Sequence, residues 1–141
     1  MAAEVHTQGL RLLLECLAGL ETVPSSCWIG LATNDSLAEN ATLGDVTEVT
    51  GTGYARQQVA SGGTGWPTSQ GAGTNDWEVK TLQVTFTNSG TGNWATARTA
   101  FICTAQTGTQ GKLIASFPLS QARTLGPGDS LKVTITLQLA G

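Results

Sequence analysis

Charge is what this chain has least of: only 12% of its 141 residues are Asp, Glu, Lys or Arg, about half the usual share. Seven Lys and Arg residues, scattered singly, face ten acidic ones, for a net charge of −3. That distribution lacks the basic footprint of a nucleic-acid binder. Histidine occurs once, at His6, and a lone His on a helix is ordinarily a surface or packing residue. Nothing in sequence orients it, so a Ser–His–Asp or Cys–His centre would have to be built on the chain terminus. The sequence therefore reads as a non-enzyme. Cys16, Cys27 and Cys103 form no CxxC pair. An odd count argues against a disulfide framework, and their apolar neighbourhoods predict buried, reduced thiols and assembly in a cytoplasm. No apolar run is long enough to span a membrane. The stretch 10–20 carries Arg11 and Glu15 and lacks the basic start and small-residue cleavage site of an export signal.

The chain is rich instead in Gly, Thr, Ser, Asn and Gln, which suit exposed strand faces and turns better than helices. The one helical pattern is at the start. Leu10, Leu13, Leu14, Leu17 and Leu20 recur at spacings of three and four, with Arg11 and Glu15 on the other side. Leu12, Val5 and Cys16 widen the apolar surface, Gly19 marks a helix end, and Pro24 bars continuation. This predicts an N-terminal helix within residues 1–22 and a β domain over 23–141. A helix apolar over more than half its circumference needs partners on two sides. One is its own domain. The other is expected to be another chain, with Leu10, Leu13, Leu14 and Leu17 as the candidate interface.

Beyond Pro24 the pattern is that of strands, at 27–33, 54–60, 78–87, 97–104, 112–117 and 131–139. In the last, Leu131, Val133, Ile135, Leu137 and Leu139 alternate with polar residues after a Gly126-Pro127-Gly128-Asp129 turn. Trp77 and Val79 sit on the opposite parity to Leu82, Val84 and Phe86, which predicts a bulge near Lys80 or Thr81. The segment 66–76 is too rich in Gly, Ser and Thr for a core element and reads as a surface loop. The fold class is all-β: an antiparallel β-sandwich, jelly-roll-like, with one N-terminal α-helix.

Other chemistry has little to stand on. Asp35, Glu39, Asp45 and Glu48 gather in one loop, but their spacing matches no EF-hand, and acidic residues in a solvated loop are the default. Gly51-Thr52-Gly53 and Gly62-Gly63 lack the Lys and following helix of a phosphate loop. No metal or cofactor is implied. Trp66, Trp77 and Trp94 fall in or beside Gly-rich loops, a possible contact site for sugar faces. The plainer alternative is that they cover the ends of the sandwich or fill a subunit interface. Tyr54 is expected to pack its ring and keep its hydroxyl near water. Arg56 either pairs with Asp45 or Glu48 or is an exposed strand residue.

The order of segments then becomes informative. Trp28-Ile29-Gly30-Leu31-Ala32-Thr33 follows the helix; Thr47-Glu48-Val49-Thr50-Gly51-Thr52-Gly53-Tyr54-Ala55-Arg56-Gln57 and Arg123-Thr124-Leu125-Gly126-Pro127-Gly128-Asp129-Ser130-Leu131-Lys132-Val133 come later. With Gly111-Lys112-Leu113-Ile114-Ala115 between them, the set resembles a family of small tailed-bacteriophage virion structural proteins. The resemblance covers most of the chain from Trp28 onward and carries over no catalytic residue. It implies a component of the virion, assembled in the host cytoplasm. The first expectation is a capsid decoration (cement) protein that binds and stabilises the head. The alternative is a tail-associated adaptor or receptor- or glycan-binding module. Expected partners are further copies of the chain, as a homotrimer, and the major capsid protein or other virion proteins, with no nucleic acid and no membrane.

Overall fold

The computed structural model describes residues 2–71 and 76–140. In chain order the elements are β1 (Ala2–Val5), α1 (Thr7–Leu17), β2 (Ser26–Ala32), β3 (Gln57–Ala60), β4 (Thr68–Gly71) and β5 (Asp76–Lys80), followed by β6 (Val84–Thr87), β7 (Ala97–Cys103), β8 (Leu113–Arg123), β9 (Ser130–Val133) and β10 (Thr136–Ala140). The chain is all-β with a single N-terminal α-helix, as its alternation and its leucine spacing imply.

The helix ends where the glycine demands. Gly19 takes φ +73, the left-handed conformation that costs glycine no Cβ clash. Its N–H reaches the Cys16 carbonyl at 3.2 Å, and that of Leu20 the Glu15 carbonyl at 2.8 Å. These two bonds are a Schellman motif, which satisfies carbonyls the last turn would otherwise leave open.

Eight strands form one curled sheet in the order β3-β2-β7-β8-β1-β10-β5-β4, and β6 and β9 form a second sheet. The pairs are antiparallel except β1 with β10. No strand was expected ahead of the helix. β1 joins the two halves of the large sheet: Ala2 and Ala3 pair with Thr136 and Leu137, and Glu4 and Val5 with Ser116 and Ala115.

The expected strands 78–87 and 131–139 each break in the middle. Their first and last parts pair as β5 with β10 and as β6 with β9, in different sheets. Thr81 holds the corner: its N–H donates to the Ile135 carbonyl at 2.9 Å, and its Oγ1 accepts from the Ile135 N–H at 3.0 Å. The parity change therefore marks a strand switching sheets rather than a bulge within one sheet. The surface loop expected over 66–76 also needs correction. Thr68–Gly71 pairs with β5 as an edge strand; residues 72–75 lie outside the described part.

Two apolar layers result. On one face Ile29, Leu31, Val59 and Ile102 meet Val84, Phe86, Val133 and Ile135 of the smaller sheet and its corner. On the other, Leu37, Ala41 and Leu43 cover Phe101, Cys103 and Leu113. β7 is thus buried on both faces, and only one of its residues, Arg98, is exposed.

Candidate interaction surface

The N-terminal helix is fastened to the sheet by small and polar residues, not by its leucines. A Cβ on Gly9 would lie 2.3 Å from the Ile114 carbonyl oxygen, so only glycine lets the helix backbone approach β8 this closely. Ahead of it, His6 is fully buried. Its Nδ1 faces the Glu39 carbonyl at 3.2 Å and its Nε2 faces Ser116 Oγ at 2.7 Å. A carbonyl can only accept, so Nδ1 carries the proton and Nε2 accepts from the serine. The sequence reading that left His6 without a fixed neighbour is overturned. The pair nonetheless has neither a carboxylate to orient the ring nor an open side for a substrate, because Ser116 is buried as well.

Within the helix only Gly9 and Leu12 are buried. Leu10, Leu13, Leu14 and Leu17 turn outward with rising exposure, from 37% at Leu10 to 84% at Leu17. Leu20 and Val23, beyond the helix, are also exposed, and so is Trp77 on β5 at 59%. A groove of about 430 Å³ runs between the helix and the sheet, lined by Leu12, Leu13, Val23, Trp77, Val79 and Leu137 among others. Leu10, Leu14 and Leu17, at spacings of four and three, share one exposed face of the helix. At 100° per residue the apolar arc of the helix covers more than half a turn, and Arg11 and Glu15 fill the remainder.

Those charges are occupied with one another. Arg11 Nε donates to Glu15 at 2.7 Å, while Lys112 reaches Glu15 at 3.7 Å and Glu21 at 3.4 Å. The hydrogen bond from Arg11 holds the Glu15 carboxyl below its ordinary range, against the opposing effect of desolvation.

The tryptophans do not form a common site. Trp94 is 3% exposed; its Nε1–H donates to the Thr52 carbonyl at 2.9 Å and its backbone N–H to the Leu125 carbonyl at 3.0 Å. Its ring lies over Gly51, where a Cβ would come within 2.1 Å of it, and stands edge-on to Tyr54 at 5.4 Å. A loop contact role for Trp94 is ruled out by this burial. Trp66 is half-buried against the core. Only Trp77 stays open, and it belongs with the helix leucines, a grouping that sequence spacing could not show.

The acidic loop residues are likewise dispersed. Asp45 caps a short 3-10 turn, accepting from the Thr42 N–H at 2.8 Å and the Thr42 hydroxyl at 3.0 Å; both bonds hold its carboxyl below the usual value. Asp35 meets Arg98 at 3.4 Å on the surface. Glu48 is the partner of Arg56, through Nε at 2.9 Å and Nη2 at 2.8 Å. Arg56 also donates to the carbonyls of Ala105 and Gly108 at 2.8 and 2.9 Å and lies 5.4 Å from the centre of the Phe101 ring. The Tyr54 hydroxyl donates to Glu48 at 2.9 Å and accepts from the Leu31 N–H at 2.8 Å, and burial raises its pKa. Its hydroxyl is spent inside the protein, not in water. Among the described residues no group of three His, Cys, Asp or Glu side chains could hold a metal ion, and no helix is long and apolar enough to cross a membrane.

The two stretches 47–57 and 123–133 that carry the resemblance thus meet at Trp94, which hydrogen-bonds to a carbonyl in each. They are architectural marks. A family model described as Gp80, Podophage GP4 fiber I protein gp80, matches residues 12–139. No curated protein matches the chain.

Proposed function

The chain belongs to the Gp80 family of the podophage GP4 fiber I protein, and from that premise we propose that it is a fibre component on the tail of a phage particle. A virion structural role and a virion location follow from the family. Decoration of the head, the first expectation from sequence, is the less favoured place. The observation that carries the tail reading is the family match, which spans nearly the whole chain and names a fibre protein.

The site geometry supports a role without chemistry. The Ser116–His6 pair is sealed in the core, and burial pushes the Cys27 thiol up to about 11 and raises that of Cys103 as well. Neither thiol is a poised nucleophile. What the surface offers instead is a large apolar contact face.

Quantitative mass spectrometry of purified particles, together with immunogold labelling, tests the assignment. Far fewer copies than the major capsid protein, with label confined to the tail, is the expected result. Label spread over the head at a copy number comparable to the capsid subunit would return the protein to the decoration class.

A further inference from the structure

We propose that the groove between β8 and β9 is a binding site for an anionic oligosaccharide, recognised by Arg123 and Lys132. Arg11, Arg56, Lys80, Arg98 and Lys112 each form an ion pair within the chain. Arg123 and Lys132 have no ion-pair partner among the described residues. Both are exposed, and both line the same groove. It consists of two cavities, of about 280 and 360 Å³, that share Arg123 and Leu131 in their walls. Although the chain carries a net charge of −3, the cations it leaves without a carboxylate therefore fall together.

The rest of the lining indicates what kind of anion fits. Ser120, Gln121 and Thr134 lie along the groove, and their side chains bond to no other group among the described residues. Hydroxyl and amide side chains both donate and accept, which matches the mixed donors and acceptors of sugar hydroxyls. Phe117 and Leu131 are half-buried against the core and give the groove an apolar wall for the C–H face of a sugar ring. A peptide strand adding to this wall is less well served, because Pro118 within it offers no backbone N–H. Asp129 also lines the smaller cavity, but its carboxylate accepts from the Gly126 N–H at 2.8 Å and is tied to its own turn. A guanidinium and an ammonium without partners of their own favour a sugar bearing carboxylate or phosphate over a neutral one. The groove shares no lining residue with the apolar one beside α1, and the reading is the same whether the particle carries the chain on its tail or its head.

Isothermal titration calorimetry of the full-length chain with tetragalacturonate, maltotetraose and hexaglutamate is the test. Tetragalacturonate is expected to bind, more weakly as salt rises, and maltotetraose to bind at least about tenfold more weakly. Arg123→Gln/Lys132→Gln should lower the affinity for tetragalacturonate about tenfold or more. Its melting temperature should be unchanged, because both side chains are exposed and unpaired. Should the double variant fail to fold, Lys132→Gln alone replaces it, with a smaller loss in the same direction. No heat of binding from tetragalacturonate at millimolar concentration would overturn the proposal. So would a folded variant that binds like the wild type, or equal affinity for maltotetraose. Hexaglutamate binding as tightly as the acidic sugar would make the groove a site for an acidic protein segment, and the proposal again fails.

Discussion

Removing the Glu48 carboxylate should be among the most damaging single changes away from the apolar core. Glu48→Ala deletes three hydrogen bonds at once, two from Arg56 and one from Tyr54. It strands a guanidinium whose side chain is only 4% exposed. The carbonyls of Ala105 and Gly108 still accept from it, but they neutralise no charge. Breaking a buried ion pair from one side costs about 3–5 kcal/mol. Glu48 itself is 28% exposed, so water reaching the gap brings the expected cost to the lower end, about 3 kcal/mol. For a chain of this length that corresponds to a fall in Tm of about 10 °C. Urea unfolding followed by far-ultraviolet circular dichroism measures the loss as a lower midpoint at unchanged slope. The double variant Glu48→Leu/Arg56→Met, which removes both charges and keeps the volume, should recover much of the difference. A Glu48→Ala protein within about 0.5 kcal/mol of wild type, the range of ordinary surface substitutions, would show that the carbonyls alone satisfy Arg56 and would refute the reasoning.

Three further outcomes are expected. Gly9→Ala places a methyl 2.3 Å from the Ile114 carbonyl oxygen and should destabilise the protein by about 1–3 kcal/mol, although alanine is the better helix former; a more stable variant in thermal melts would contradict the close approach of α1 to β8. Native labelling with a maleimide at mildly alkaline pH should modify Cys16 first, because Cys27 and Cys103 are buried with raised pKa values, and mass spectrometry after timed quenching reads the order directly. The depressed Asp45 pKa contributes stability that is fully present above the ordinary value of 3.8 and is lost as pH falls through the lower folded value. Asp45→Asn should therefore flatten the acid limb of the stability–pH curve, and parallel acid limbs for the two proteins would exclude the cap as its source.

Local patterns in the chain were sufficient to place most elements. Leucine spacing located α1, alternation located the strands of 78–87 and 131–139, and Gly19 and the 126–129 turn marked ends, because each signal acts over a few residues through φ preference or side-chain period. The same patterns indicated that one helix carried more apolar surface than a single flank could cover. The four leucines named as the candidate interface are exposed, and what the spacing did not show is that Gly9, Leu12 and His6 hold the helix, since the closest approach to β8 belongs to the residue without a side chain.

Contacts between distant residues were decided only by the tertiary structure. The burial of Trp94 between two loops depends on segments far apart in the chain coming together. The grouping of Trp77 with leucines some sixty residues earlier has the same origin. The halves of 131–139 read as one continuous strand because their alternation is unbroken, and the parity change in 78–87 read as a bulge within one strand. That they part into two sheets follows from Thr81 and Ile135 meeting at a corner. Periodicity reports which face of a strand is apolar. What that face packs against is set by the pairing of strands across the whole chain, and that is where the apolar groove of this protein arises.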